Sequence, residues 1–175
     1  LEHEMIDVNQ STPIGYGTTP LFIACQKNHK AVVEQLLAHG AIDVNLARID
    51  DGMTPLLITC LENHEAVLEL LLAHDTVDVN QATTNEYGTT PLYIACQNNQ
   101  KAVVERLLAH KMIDVNRANT DEYGYTPLLI ACHKNHEAVV ELLLAQDALD
   151  VNQAKTDDGA TPLWIACHNN NKAVV

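Results

Sequence analysis

The hydrophobic residues of the chain recur in one arrangement that repeats every 35 or 36 residues. Each copy holds a short apolar block that opens with the tripeptide Thr-Pro-Leu and, after a few polar residues, a longer block rich in Val and Leu. The tripeptide begins at Thr19, Thr54, Thr90, Thr126 and Thr161. Such a period predicts a repeat protein, because a unit too small to bury its own apolar side must pack against its neighbours.

The apolar block behind each Thr-Pro predicts a short helix. Threonine is a favourable N-cap, and proline at the first helical position loses no hydrogen bond, since that N–H has no partner in any case. The helix should end at an asparagine, which tolerates the left-handed backbone of a helix C-terminus. These asparagines are Asn28, Asn63, Asn99, Asn135 and Asn170.

The Val- and Leu-rich block predicts a second helix, which begins near Ala31 in the first full copy. Val32, Val33 and Leu36 recur at helical spacing, whereas Glu34 is free to face water. Isolated helices shorter than about 12 to 15 residues are marginal in water, so both helices of a copy should depend on stacking for stability.

An extended finger is predicted between each second helix and the next Thr-Pro. It opens with Asp-Val-Asn, whose Asp and Asn side chains can cap the local turn. It closes with a glycine that can adopt a positive φ angle. The glycines are Gly17, Gly52, Gly88, Gly124 and Gly159.

These residues resemble the ankyrin-repeat family, whose motif runs Gly-x-Thr-Pro-Leu-His-x-Ala-Ala, then Gly-His, a Val- and Leu-rich helix and a closing Asp-Val-Asn. Tetratricopeptide repeats have a similar period but lack the finger and the Thr-Pro-Leu signature. The resemblance implies an all-α repeat solenoid of helix-turn-helix units with β-turn fingers. We expect one domain over residues 1–175, with full copies at about 19–53, 54–89, 90–125 and 126–160 and partial copies at 1–18 and 161–175.

The chain departs from the family motif at the position after Thr-Pro-Leu, where the family has histidine. Apolar or aromatic residues stand there, and we expect them to pack in the core. They are Phe22, Leu57, Tyr93, Leu129 and Trp164.

Both ends of the sequence fall inside a copy, because Leu1–Asn9 match Leu108–Asn116 and Ala173–Val175 match the start of a second helix. We therefore expect a piece of a longer protein. A targeting or autoinhibitory arm of a larger enzyme or effector is an alternative to a free-standing scaffold.

The net charge of −13 and the pI near 4.9 make phosphate backbones and anionic membranes unfavourable partners. No nucleic-acid or membrane partner is expected, and glutamates interrupt the most apolar stretches. We expect a monomer that binds a protein or peptide, basic or neutral, with a Lys- or Arg-rich segment favoured.

All five cysteines occupy one repeat position: Cys25, Cys60, Cys96, Cys132 and Cys167. Helices pack about 8 to 10 Å apart, and a disulfide needs Cα atoms within roughly 7 Å, so neighbouring copies should not be bridged. Five buried, reduced thiols are predicted, which favours an intracellular, cytoplasmic location.

No catalytic, metal or cofactor site is predicted, and the chain is not expected to be an enzyme. Its only serine, Ser11, lies in no nucleophile motif. Histidines of adjacent copies are a helix spacing apart, too far to share a zinc ion, so helix-end and cap roles are expected for them. They are His3, His39, His74 and His110 in one set and His29, His64 and His136 in another.

The ankyrin resemblance implies a partner-binding surface on the concave side, formed by the finger tips and the exposed edge of each first helix. Tyrosines give large contact area, and carboxylates steer basic partners. The finger residues are Tyr16, Thr18, Asp50, Asp51, Met53, Glu86, Tyr87, Thr89, Glu122, Tyr123, Tyr125, Asp157 and Asp158. The helix residues are Gln26, Lys27, Leu61, Glu62, Gln97, Asn98, His133, Lys134, His168 and Asn169.

A further alternative from the resemblance is modification by an asparaginyl hydroxylase. The pattern of a leucine followed after five residues by Asp-Val-Asn resembles the one such enzymes accept in ankyrin repeats. The target asparagines would be Asn9, Asn45, Asn80, Asn116 and Asn152.

Overall fold

The structure, a computed structural model, describes residues 6–13 and 16–171. Within these ranges it has nine helices and no strand. The first helices of the copies are α1 (Pro20–Gln26), α3 (Pro55–Leu61), α5 (Pro91–Gln97), α7 (Pro127–Lys134) and α9 (Pro162–His168). The second helices are α2 (Lys30–Leu37), α4 (Glu65–Leu72), α6 (Lys101–Leu108) and α8 (Glu137–Leu144).

The helix boundaries follow the predicted capping chemistry. Thr19 Oγ1 accepts a hydrogen bond from the backbone N–H of Phe22 at 3.1 Å, and the threonine before each other first helix does the same. The asparagine after each first helix has a left-handed backbone, with φ between 55° and 59°. Both predictions are confirmed, and the chain turns back there into the second helix.

The helices form two layers in which each copy contacts its neighbours. The first helices α1, α3, α5, α7 and α9 pack one against the next, and α2, α4, α6 and α8 do likewise. Each second helix also packs against the first helix of its own copy. This arrangement confirms the all-α repeat solenoid. None of the described helices is long and apolar enough to cross a lipid bilayer.

The core lies between the two layers and is most complete in the middle of the stack. Leu57, Leu68 and Leu71 have no solvent exposure. Val32, in contrast, is 45% exposed, whereas its equivalent Val67 is fully buried. The reason is that α2 has no preceding second helix against it among the described residues.

Four of the five cysteines are buried and free, as predicted, but Cys167 is exposed, so the prediction for that residue is wrong. Cys25 illustrates how such a thiol is covered, because the hydroxyl of Thr59 in α3, the first helix of the next copy, lies against it. The described residues contain no first helix after α9, which leaves Cys167 open. Burial raises the pKa of Cys25 to about 12 and that of Cys132 to about 11.

The fingers are hairpin-like turns that bond to one another. In the second finger (residues 46–53) the Arg48 N–H donates to Met53 O at 2.9 Å, and Asp51 O accepts from the Thr84 N–H of the third finger at 2.9 Å. The finger glycines have the predicted positive φ angles. At Gly88 the space is also needed, because a Cβ there would overlap the Thr120 side chain of the following finger.

In four of the five Asp-Val-Asn sequences the asparagine links consecutive copies, which the sequence did not predict. Asn80 Nδ2 donates to Met112 O at 2.7 Å, and its Oδ1 accepts from the Asp114 N–H at 2.9 Å. Asn9, Asn45 and Asn116 make the same pair of bonds. The aspartates cap the local turn as expected, since Asp78 Oδ1 accepts from the Asn80 N–H at 2.9 Å.

Candidate partner-binding surface

The residues predicted to bind a partner lie on the fingers and at the C-terminal ends of the first helices. Most of their side chains are exposed, and the half-buried exceptions are Thr18, Gln26, Asp51, Met53, Thr89 and Tyr125. Part of the set falls into three settings: two fingers with internal ion pairs, a cleft between two fingers, and a groove near the C-terminal end. The first-helix residues outside these settings are Gln26, Lys27, Leu61, Glu62, Gln97, Asn98 and Lys134. Their role in binding stays a prediction.

In the second finger one arginine pairs with both of the predicted acidic residues. Arg48 donates from Nε to Asp50 Oδ1 at 3.1 Å and from Nη2 to Asp50 Oδ2 at 2.9 Å and to Asp51 Oδ2 at 3.0 Å. Its guanidinium carbon lies 4.9 Å from the centre of the Tyr16 ring and 5.5 Å from that of Phe22. Slight desolvation raises the pKa of Asp50, but the hydrogen bonds and charge of Arg48 outweigh it and lower the pKa.

The fifth finger (residues 153–160) repeats this arrangement with lysine. Lys155 Nζ lies 3.1 Å from Asp157 Oδ2 and 3.3 Å from Asp158 Oδ2. It also lies 5.7 Å from the centre of the Tyr123 ring and 5.1 Å from that of Tyr125. Lys155 therefore offsets one of the two negative charges of these aspartates, which reduces the charge available to steer a partner.

The third finger (residues 81–89) and the fourth (residues 117–125) enclose a cleft of about 540 Å³. We call it the interfinger cleft; its lining residues are Glu86, Tyr87, Thr120, Asp121, Glu122 and Tyr123. None of its carboxylates belongs to an ion pair in the described part of the chain. The Glu86 carboxylate raises the pKa of Tyr87, and the Glu122 carboxylate raises that of Tyr123.

A smaller groove of about 200 Å³ lies between α7, α9 and the fifth finger. This C-terminal groove is lined by Tyr125, His133, Lys155, Asp158, Ala160, Trp164, Ile165, His168 and Asn169. The rings of Trp164 and His168 are stacked, with centroids 4.9 Å apart, and Tyr125 meets His133 edge to face at 5.7 Å. Desolvation, together with the charges of Lys134 and Lys155, lowers the pKa of His133 and so favours its uncharged form.

Trp164 is the residue that sequence reasoning missed. It was expected in the core with Phe22, Leu57, Tyr93 and Leu129, which are indeed buried, but 55% of Trp164 is exposed. The equivalent side chains are covered by the following copy, and the described residues contain none after α9. The sequence does contain one signal of this exposure, because Trp164 lies in the last copy that carries Thr-Pro-Leu.

The histidines that precede the second helices do not cap them, which corrects the cap role expected for this set. His64 and His136 make no side-chain bond to their own helix. Instead, His64 Nδ1 lies 3.0 Å from Cys25 O and His136 Nδ1 lies 2.9 Å from Cys96 O, in the preceding copy. In the other set, His110 Nδ1 accepts from the Met112 N–H at 3.3 Å, which confirms a helix-end role. The described residues contain no cluster of His, Cys, Asp and Glu able to hold a metal.

The comparison with family models agrees with this geometry along the whole length of the chain. A model described as ankyrin repeats (3 copies) matches residues 1–83, 42–119, 77–155 and 114–175. The chain belongs to the ankyrin-repeat family. Ankyrin repeats are generally protein–protein interaction modules, and they are typically not enzymes. No curated protein matches the sequence significantly.

Proposed function

We propose that this ankyrin-repeat chain is a non-enzymatic scaffold that binds a protein or peptide on its finger and first-helix surface, the concave side of the stack. The C-terminal groove serves as its apolar anchor point. The finger tips supply polar and charged contacts around that point. The partner is basic or neutral, because the chain has a net charge of −13.

The observation that carries this proposal is the convergence of Tyr125, His133, Trp164 and His168 on one groove in the described part of the chain. The indole stacks on His168 beside Tyr125 and His133, so four aromatic rings converge on one small concavity. Tryptophan and tyrosine are the residues most enriched among binding hot spots, because each buries a large area with few rotamers to fix. Lys155 and Asp158 at the edge provide polar partners for a peptide backbone.

The exposed tryptophan also provides the test, because it is the only one in the chain. Peptides selected from a random display library against the whole protein would be titrated while Trp164 emission is recorded. Ligands that occupy the groove should change the emission saturably. Trp164→Ala and Tyr125→Ala should each weaken binding by more than about 1 kcal/mol in calorimetry.

Leu163→Ala is a matched control for the tryptophan variant. Leu163 and Trp164 are each 55% exposed and adjacent in α9, but Leu163 does not line the groove. Its replacement should leave peptide affinity unchanged. Equal losses from Leu163→Ala and Trp164→Ala, or none from either, would remove the groove as the anchor.

Two expectations about context depend on this scaffold role. The four buried, free thiols are suited to a reducing compartment and support a cytoplasmic location.

A targeting or autoinhibitory arm of a larger enzyme would use the same surface against a segment of its own chain. Adding such a segment in trans should then compete with the selected peptides.

A further inference from the structure

The fingers differ at one structural position in a way that separates the outer ones from the central ones. Arg48 in the second finger and Lys155 in the fifth each follow an alanine after Asp-Val-Asn and begin the turn. Thr83 and Asn119 stand at this position in the third and fourth fingers, where both are buried and uncharged. The second and fifth fingers, called the outer fingers below, therefore have a cation at this position, and the third and fourth do not.

The outer fingers show what that cation does. Arg48 is held by two aspartates and lies near the rings of Tyr16 and Phe22. Lys155 is held in the same way by two aspartates and two tyrosine rings. The molecule thus contains two internal examples of one recognition arrangement: carboxylates directed at a cation that is flanked by aromatic rings.

The interfinger cleft offers the same groups without the cation. Tyr87 and Tyr123 supply aromatic surface, each about half exposed. Glu86, Asp121 and Glu122 supply carboxylates that make no ion pair in the described ranges. We propose that this cleft binds an arginine side chain of the partner segment, whose guanidinium takes the place that Arg48 and Lys155 fill in the outer fingers. This proposal rests on the scaffold function proposed above.

Arginine suits the cleft better than lysine for two reasons of geometry. A guanidinium is planar, so it can lie against tyrosine rings while its edge donates to carboxylates. It carries five N–H donors, enough to reach more than one carboxylate at once, as Arg48 does. Asp121 Oδ1 already accepts from the Tyr123 and Gly124 N–H groups at 3.1 and 2.9 Å, which fixes this carboxylate at the cleft.

The experiment titrates the isotope-labelled protein with N-acetyl-arginine amide and follows backbone amide shifts by NMR. Saturable shifts are expected at Tyr87, Gly88, Tyr123 and Gly124. N-acetyl-citrulline amide, which has the same shape without the charge, should produce none. N-acetyl-lysine amide should bind more weakly than the arginine compound, and equal or tighter binding of lysine would overturn the choice of arginine.

Variants that remove charge distinguish arginine binding at the cleft from attraction to the acidic chain as a whole. The double change Glu86→Gln with Glu122→Gln keeps side-chain shape and should weaken arginine binding by roughly tenfold. Glu137→Gln with Glu141→Gln removes the same charge from exposed positions of α8 and should leave binding unchanged. Tyr87→Ala should weaken binding without any change in charge.

The outcomes distinguish this proposal from the scaffold function itself. If both glutamine pairs weaken arginine binding equally, or if the amide shifts are spread over the acidic surface, the cleft is not a site. Peptides selected for the C-terminal groove would then still bind, and the scaffold function would stand. If Trp164→Ala does not weaken the binding of those peptides while arginine binds at the cleft, the C-terminal groove is not the anchor and the arginine site stands.

Discussion

The asparagine that links consecutive copies offers the sharpest test of how this stack is stabilised. Asn80→Ala removes two hydrogen bonds to the next copy, to Met112 O at 2.7 Å and from the Asp114 N–H at 2.9 Å. A hydrogen bond contributes about 1 kcal/mol net, so the loss should be about 2 kcal/mol. Asn80 is half-buried, and water can reach the freed groups, which keeps the loss from being larger.

Asn152→Ala is the matched control for this change. Asn152 occupies the same turn, and its N–H donates to Asp150 Oδ1 at 3.0 Å. Among the described residues, no hydrogen bond joins its side chain to another copy. Its replacement should therefore cost less than about 0.5 kcal/mol, as for an ordinary surface position.

Urea denaturation followed by circular dichroism measures both variants. With a slope near 2 kcal/mol per molar urea, the Asn80 variant should unfold at a midpoint lower by about 1 M. Asn80→Asp should cost at least as much as alanine, because it replaces the donor to Met112 O with an oxygen. Equal midpoints for Asn80→Ala and Asn152→Ala would refute the argument that these asparagines stabilise by joining copies.

Three further perturbations probe the fingers and the core. Gly88→Ala combines a positive φ with a clash against Thr120, whereas Gly159→Ala meets no atom within 4 Å, so the first should lower the thermal midpoint more than the second. Burial raises the pKa of Cys132 from 9.0 to about 11, so its contribution to stability is complete below pH 9 and is lost as pH rises through 11. Cys132→Ala should accordingly reduce the decline of the urea midpoint between pH 9 and 11. Arg48→Met should destabilise the protein at pH 7. The difference from the parent should begin to shrink below pH 3.8, the ordinary pKa of an aspartate, and should disappear as pH falls through the lowered pKa of Asp50, where this carboxylate becomes protonated. A constant difference from pH 7 to pH 2 would show that the aliphatic packing of Arg48 matters more than its charge.

The scaffold was predictable because its determinants are local. A threonine before proline places its own hydroxyl on the N–H three residues later, as at Thr19, and needs no information from elsewhere in the chain. The asparagines with positive φ and the finger glycines likewise follow from the conformations those residue types tolerate. Repetition in every copy strengthened each of these predictions.

Contacts between copies were not predictable in the same way. The role of Asn80 depends on a backbone 32 residues away, whose distance in space follows only from the stacking geometry. The exposure of Trp164 and Cys167 depends on whether a following copy covers them, which the repeat pattern itself does not encode. The position of a residue in the stack therefore decides whether its side chain is buried, even where the residue type favours burial.

The ion pairs of the outer fingers correspond to a pattern that is visible in the sequence. Arg48-Ile-Asp-Asp and Lys155-Thr-Asp-Asp share one spacing, with a cation two and three residues before an acidic pair. In a tight turn this spacing brings the side chains within reach, as the distances of 2.9 to 3.3 Å show. The acidic pairs considered alone predict free charge, and the preceding cation changes that prediction.

The ion pairs of the outer fingers affect the position at which a basic partner segment binds along the surface. If every finger carried unpaired acid, a basic segment could bind at several positions with similar affinity, because specificity is a difference between affinities. Because one cation already offsets half the charge of the aspartates in each outer finger, a partner's cation gains less there than at the interfinger cleft. The cleft and the C-terminal groove would then fix a segment at two points, one by charge and one by aromatic contact. A partner able to use both must have its arginine and its apolar anchor at a matching separation.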